Sequence, residues 1–300
     1  MKETLQFEIY SFYRFVKIND KNSLKLDLEN FIKNKNVKGT ILLADEGFNG
    51  TISGNTNDLK KILLFIKKFC NIRKVSIKIN SVDFFPFNRL KIRHKKEIVS
   101  LGIKDLKVKN TPKKYIHPKK WDKFIREKDI NLIDTRNTYE ISIGKFNNAI
   151  NPLTKSFRDF PEKFNSLKLD RKAKIGIYCT GGIRCEKAST YLFSKGFKNV
   201  YQLEGGILNY LNYKKKNKKT SKWSGECFVF DKRVSVNQDL NKGSYFQCYG
   251  CRRAITSDDI KSKYYKKGVY CPKCINERTE KQKKNSGMRQ SQINNNINFF

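Results

Sequence analysis

The spacing of apolar positions shifts along the chain, and each shift marks an element. Residues 8–17 (EIYSFYRFVK) are aromatic and β-branched, which predicts a strand. Leu24, Leu28, Phe31 and Ile32 then recur at helical spacing on one face. Residues 39–44 (GTILLA) read as a buried strand, 45–50 (DEGFNG) as a loop, and Thr51-Ile52-Ser53 as a short paired strand. Leu59, Ile62, Leu63 and Ile66 form a second helical stripe behind an N-cap at Thr56 or Asn57. Residues 74–79 (KVSIKI) alternate like a strand. The order β-α-β-β-α-β predicts a ferredoxin-like unit.

Residues 81–120 connect. Here Phe84-Phe85-Pro86-Phe87 precedes a basic run of Arg89, Lys91, Arg93, Lys95 and Lys96. That run reads equally as a solvated strand face or as an RNA contact. His94 and His117 stand alone and are expected at the surface. Beyond them the pattern alternates. Residues 131–135 (NLIDT), 174–178 (KIGIY) and 199–203 (NVYQL) read as strands, and 186–196 as a helix stopped by Gly196. Such alternation predicts an α/β domain with a parallel sheet, whose ligands bind at the carboxyl ends of the strands. A third part opens in a Lys-rich run, 214–222, and regains foldable composition at Trp223. After Cys274 the chain is polar and repetitive, and disorder or a loose helix is expected. There is no internal repeat.

Composition narrows the partners. The 300 residues hold 64 Lys and Arg against 28 Asp and Glu, a net charge of +36. No apolar run approaches the roughly 20 residues of a spanning helix, and Met1-Lys2-Glu3-Thr4 does not open a signal peptide. A cytoplasmic protein with no membrane partner is expected. Such charge asks for a polyanion, usually nucleic acid. Codon drift is the competing explanation, since 50 Lys and 30 Asn suit an A+T-rich gene. The distribution argues against drift alone. Residues 1–120 carry +16, 121–211 carry +6, and 212–300 carry +14.

Cysteines carry the candidate chemistry. Eight are present, at 70, 179, 185, 227, 248, 251, 271 and 274. Cys179-Thr180-Gly181-Gly182-Ile183-Arg184 falls between a predicted strand and a predicted helix. Such a turn aims backbone N–H groups into a concavity, and the helix start adds positive potential. Arg184 adds a charge, and Gly181 and Gly182 allow close approach of a bound group. The arrangement suits a nucleophilic thiolate or an anionic sulfur species. A buried structural cysteine in an ordinary turn is the plainer alternative. Cys185 could resolve a persulfide or simply open the helix. Cys248-x₂-Cys251 and Cys271-x₂-Cys274, nineteen residues apart, have the spacing of a structural zinc site. Two redox CxxC pairs are the alternative. Cys227 stands apart and reads as packing.

Cys179 to Arg184 resembles the active-site loop of a rhodanese domain. Asp134-x-Arg136, Gly144 with Ala149-Ile150-Asn151-Pro152, and Leu203-x-Gly205-Gly206 resemble its other landmarks. Cysteine phosphatases place five residues between Cys and Arg; this loop has four. The rhodanese resemblance implies a persulfide on Cys179, held by the loop amides and Arg184. Over residues 5–278 the chain resembles the oxygen-dependent tRNA uridine hydroxylases, bacterial proteins that contain a rhodanese domain. The stretches that carry this are Glu46-Gly47-Phe48-Asn49-Gly50-Thr51-Ile52-Ser53-Gly54, Arg89 to Val99, Tyr178 to Lys187 and Gly225 to Asp231. Phe48 replaces a usual Ile, and Tyr249 a frequent His.

The resemblance implies a tRNA substrate, with O₂ as co-substrate and 5-hydroxylation of the wobble uridine (position 34). The expected architecture is α/β and multidomain. It comprises a ferredoxin-like domain (1–100), a linker (101–120), a rhodanese domain with a parallel sheet (121–215), a four-cysteine zinc region (216–278) and a disordered tail (279–300). Cys179 and Arg184 are the expected catalytic pair, with Thr180, Gly181, Gly182 and Ile183 as the loop and Asp134, Arg136 and Cys185 in support. Cys248, Cys251, Cys271 and Cys274 are the expected metal ligands. No flavin or haem motif is present, and two histidines make no iron-binding triad. A rhodanese-type sulfurtransferase and a non-enzymatic RNA-binding protein are the alternative functions.

Overall fold

The computed structural model describes residues 7–106, 108 and 111–295. The N-terminal unit comprises β1 (Phe7–Phe15), α1 (Lys21–Ile32), β2 (Lys38–Ala44), β3 (Gly47–Gly54), α2 (Thr56–Phe69), β4 (Ser76–Val82) and β5 (Leu90–His94). Its sheet runs β4-β1-β3-β2-β5. The first four strands give the ferredoxin-like order, and the basic run adds β5 in parallel to β2. Alternation sorts the faces. Tyr10, Phe12, Ile41, Leu43, Phe48 and Ile52 pack with Leu24, Leu28, Leu59, Ile62 and Ile66 of the two helices. Ser11, Tyr13, Asn49, Thr51 and Lys78 take the opposite face, where Thr51 Oγ1 meets Ser11 Oγ at 3.3 Å.

Two local expectations change. The loop over 45–50 shrinks to Asp45-Glu46, because Gly47 to Gly50 already pair with β2. A Cβ at Gly47 (φ 142°) would run into the Arg14 carbonyl, so the turn needs glycine there. The α2 cap is Asn55, whose Oδ1 accepts the Asp58 N–H at 2.9 Å.

The middle unit comprises β6 (Lys114–Ile116), α3 (Pro118–Phe124), β7 (Ile130–Asp134), α4 (Thr138–Ile141), β8 (Gly144–Phe146), α5 (Phe160–Asn165), β9 (Lys174–Tyr178), α6 (Ile183–Ser194), β10 (Val200–Leu203) and α7 (Gly206–Lys216). The sheet β6-β10-β9-β7 is parallel throughout. Part of the expected linker thus belongs to this unit, since β6 forms its edge strand beside β10.

Beyond it lie β11 (Trp223–Gly225), β12 (Cys227–Phe228), β13 (Ser235–Val236), β14 (Phe246–Gln247), β15 (Ala254–Ile255), α8 (Ser257–Lys261) and α9 (Glu280–Asn294). β11 pairs with β8 of the middle unit, and Trp223 enters one core with Trp121, Phe146, Tyr178 and Tyr210. The start of the third region is therefore built into the second. Of the two expectations for the tail, disorder or a loose helix, the described residues take the helix, α9. Thr279 Oγ1 accepts the Gln282 N–H at 3.2 Å, and Gln282 Oε1 accepts the Thr279 N–H at 3.1 Å. That capping box supplies the start signal the tail's polarity concealed. Arg278 then ties the helix by donating to Ser286 Oγ at 2.7 Å. Residues 296–300 lie outside the described residues.

The N-terminal and middle units meet through buried charge. Lys187 of α6 is 2% exposed and pairs with Glu46 at 2.9 Å and Glu97 at 2.5 Å. Glu46 also accepts the Ile98 N–H, and Asn49 Nδ2 donates to the Ile98 carbonyl.

Candidate active site and metal centre

Cys179 follows the last residue of β9, and α6 begins four residues later at Ile183. The strand end thus delivers the thiol to the carboxyl edge of the parallel sheet. Gly182, at φ 98°, turns its N–H onto Cys179 Sγ at 3.1 Å. The start of α7 clamps the loop from behind. Ile207 N–H donates to the Cys179 carbonyl at 2.9 Å, and Leu208 N–H to the Thr180 carbonyl at 3.1 Å. These are orphan donors of the helix start, satisfied by the loop. A Cβ on Gly206 would strike the Cys179 and Thr180 carbonyls, which explains the Gly205-Gly206 pattern. The loop glycines differ. A Cβ on Gly182 would stand 3.0 Å from the Tyr13 hydroxyl, whereas one on Gly181 meets nothing within 4 Å. The cradle is roofed at Gly182 and open at Gly181.

Burial alone would push the Cys179 thiol up. The Cys185 thiol, the Arg184 charge and the N–H groups of Cys185 and Gly182 outweigh it and bring Cys179 down to about 6. Cys185 is pushed far the other way, by burial and by the neighbouring Cys179 charge. It lies 3.7 Å from Thr135 Oγ1. Cys185 therefore stays protonated beside a charged Cys179 and helps to stabilise that charge.

Arg184 does not reach into the cradle. Its guanidinium makes a bidentate pair with the fully buried Glu140, at 2.8 and 3.0 Å. It acts on Cys179 as a nearby charge. Glu140 comes from α4, 44 residues upstream, and its Oε2 also accepts the Asn137 N–H. Asp134 and Arg136 form a second buried pair at 2.6 Å. Arg136 further donates to the Gly144 carbonyl at 2.7 Å and stacks 4.9 Å from the Trp223 ring. That pair binds β7, β8 and β11 together.

Two participants carry no signature in the sequence motifs. Glu140 sits in a short helix with nothing to mark it. Tyr13 reads only as a strand residue; its place in the alternation, opposite Tyr10 and Phe12, is the signal that puts it on the sheet's helix-free face.

The four remaining candidates converge. Cys248 and Cys251 lie on the turn between β14 and β15, and Cys271 and Cys274 on a second turn closed by Cys274 N–H to the Cys271 carbonyl at 2.9 Å. Their four sulfurs all lie within 4.8 Å of one another, with Cys248–Cys274 and Cys251–Cys271 at 3.9 Å and Cys271–Cys274 at 3.7 Å. A tetrahedral zinc with bonds of about 2.3 Å needs sulfurs about 3.8 Å apart, so the set fits. Four thiolates leave no open coordination position, which suits a structural ion. Cys227 is fully buried in the Trp223 core, and burial pushes its thiol up to about 12.

Comparison with known proteins agrees with this division. Residues 7–98 match the UPF0176 acylphosphatase-like domain, and 117–213 match the rhodanese-like domain. A tRNA uridine(34) hydroxylase from Pelagibacter ubique (strain HTCC1062) is 47% identical over 289 residues, which is 96% of this chain and 94% of that one. Among solved structures, a rhodanese-related protein from Thermoplasma volcanium is 25% identical, covering 33% of this chain and 92% of its own at a TM-score of 0.28. A rhodanese-like domain protein from Staphylococcus aureus is 26% identical, covering 32% and 90%, also at a TM-score of 0.28.

Proposed function

We propose that this chain, which belongs to the tRNA uridine(34) hydroxylase family, converts the wobble uridine of tRNA to 5-hydroxyuridine with O₂ and a two-electron donor as co-substrates, one oxygen atom entering at C5 and the other leaving as water. The observation that carries the reading is the 47% identity to the Pelagibacter hydroxylase across nearly the whole of both chains. Cys179 supplies the reactive sulfur, as thiolate or persulfide. Its support is physical: a thiol lowered to about 6 is mostly ionised at neutral pH, and the loop that holds it borders open space at Gly181. Arg184, held by Glu140, and the Gly182 N–H stabilise that charge. Asp134 and Arg136 hold the strands that frame the loop. The zinc expected at Cys248, Cys251, Cys271 and Cys274 would fold the third region.

The reaction is that of an oxidoreductase working in the cytoplasm, where tRNA is found. No helix among the described residues is long and apolar enough to cross a membrane. Domain limits are best drawn at 7–98 for the first unit and at 114–216 for the second, with 223–278 as the third.

Nucleoside mass spectrometry tests the proposal. Transfer RNA treated with wild-type protein gains 5-hydroxyuridine, and Cys179→Ser lowers the yield at least a hundredfold. Full activity in Cys179→Ser would sink the assignment of Cys179. Thiolated nucleosides in place of hydroxylated ones would favour a sulfurtransferase, and an unchanged profile a non-enzymatic RNA-binding protein.

A further inference from the structure

The face of the N-terminal sheet opposite α1 and α2 carries Ser11, Tyr13, Asn49, Thr51 and Lys78, all half-buried. Part of its cover is the Cys179 loop. The Tyr13 hydroxyl stands 3.0 Å from where a Gly182 Cβ would be. Lys78 is fixed beside Tyr13: its Nζ lies 5.4 Å from the ring centroid and 3.5 Å from Ser76 Oγ. The strand register places both groups, since Tyr13 pairs with Ser76 and Ser11 with Lys78.

The charges around the sulfur are unevenly committed. Arg184 is consumed by Glu140. Glu186, on the first turn of α6, is engaged by Lys113 at 2.6 Å and by the Tyr115 hydroxyl at 2.9 Å. Lys78 forms no salt bridge among the described residues, although it is withdrawn from water. A half-buried cation without a salt-bridge partner has lost part of its hydration, and its charge acts on whatever lies near.

We propose that Lys78 is a positioning residue of the Cys179 centre: its ammonium faces the sulfur across the junction of the two units and adds to the positive charge, led by Arg184, that keeps the thiolate available. The N-terminal unit then completes the site, and neither unit alone is competent. Burial draws Lys78 down to about 8, while the negative charges of Cys179 and Glu186 hold it up, so it remains mostly charged at neutral pH. The charged and titratable groups that act on Cys179 are Arg184 and Cys185 from α6; from the sheet, Tyr13 lies against Gly182 and Lys78 lies beside Tyr13. Those facing Lys78 are Tyr13, Glu186 and Cys179.

The inference rests on Cys179 as the reacting group, but its test does not need hydroxylation. Full-length protein is alkylated with iodoacetamide across a pH series. The rate is read on the tryptic peptide of residues 175–184 (IGIYCTGGIR), which contains Cys179 and excludes Cys185. Lys78→Met raises the midpoint of alkylation by about one pH unit, because a cation near the thiolate is lost. Lys78→Arg keeps the wild-type midpoint. Lys78→Gln, also neutral, repeats the shift should methionine disturb the sheet. Neutral variants that titrate like wild type overturn the inference. So does Lys78→Arg displaced as far as Lys78→Met, since packing rather than charge would then be at work. Failure of Cys179→Ser to lower 5-hydroxyuridine would instead sink the proposed function and leave the alkylation result standing.

Discussion

Cys179 and the cluster of Cys248, Cys251, Cys271 and Cys274 use one side chain in opposite ways. In the cluster the sulfurs face one another within 4.8 Å, and a bound ion would close them off from everything else. At Cys179 a single buried sulfur receives the Gly182 N–H and is stabilised by the Cys185 thiol, in a loop whose Gly181 borders open space. Mutual ligation favours structure; a lone thiolate stabilised by neighbouring donors and charge favours reactivity. Cys185 sharpens the contrast at short range. It is as buried as Cys179, yet burial and its charged neighbour push it up, so it stays protonated.

The contrast breaks most visibly when the metal is removed. Chelation, or Cys271→Ser, should unfold the two cysteine turns, because zinc at such sites contributes on the order of 10 kcal/mol to folding. Hydrogen exchange should show lost protection over residues 246–275, with the alkylation midpoint of Cys179 unmoved. A midpoint that follows the metal would mean that the two centres are coupled.

Glu140→Gln should have the next largest effect. It leaves Arg184 buried without its carboxylate, which costs about 3–5 kcal/mol in urea unfolding. The same change frees the Arg184 charge to act on Cys179, so the alkylation midpoint should fall while stability falls. A rise in that midpoint would show that Arg184 had lost its place instead.

The smallest effect is pH-linked. Cys179 lies at about 6 in the fold, below an unfolded thiol near 8.5. Its ionisation therefore stabilises the fold fully above the unfolded value, and that contribution fades as pH falls through 6. At pH 7 it amounts to roughly 1 kcal/mol. Subtracting Cys179→Ser from wild type in urea unfolding should reveal a difference that grows from pH 6 to pH 8. A difference that stays flat would show that the thiol is not depressed.

Much of both centres is legible without coordinates. The loop from Cys179 to Arg184 and the two CxxC pairs are local patterns whose spacing already constrains their chemistry. The stripes at Leu24-Leu28 and Leu59-Ile62-Ile66 read correctly for the same reason, since helical period is a short-range property. Reading goes astray where a neighbour decides. Residues 47–50 look like a loop until β2 pairs with them, and 114–116 like a linker until β10 does. The tail at 280–294 has almost no apolar stripe, so only its capping box announces a helix.

The amino-acid order alone singled out Cys179 as the candidate reactive thiol and the two CxxC pairs as candidate ligands, because strand-turn-helix context and ligand spacing lie within a few residues. Only the tertiary structure decided what surrounds them. Glu140 takes the Arg184 charge from 44 residues away, and Tyr13 and Lys78 arrive from another domain. A charge acts through space over a few ångströms, and separation along the chain does not reveal which groups the fold will bring that close.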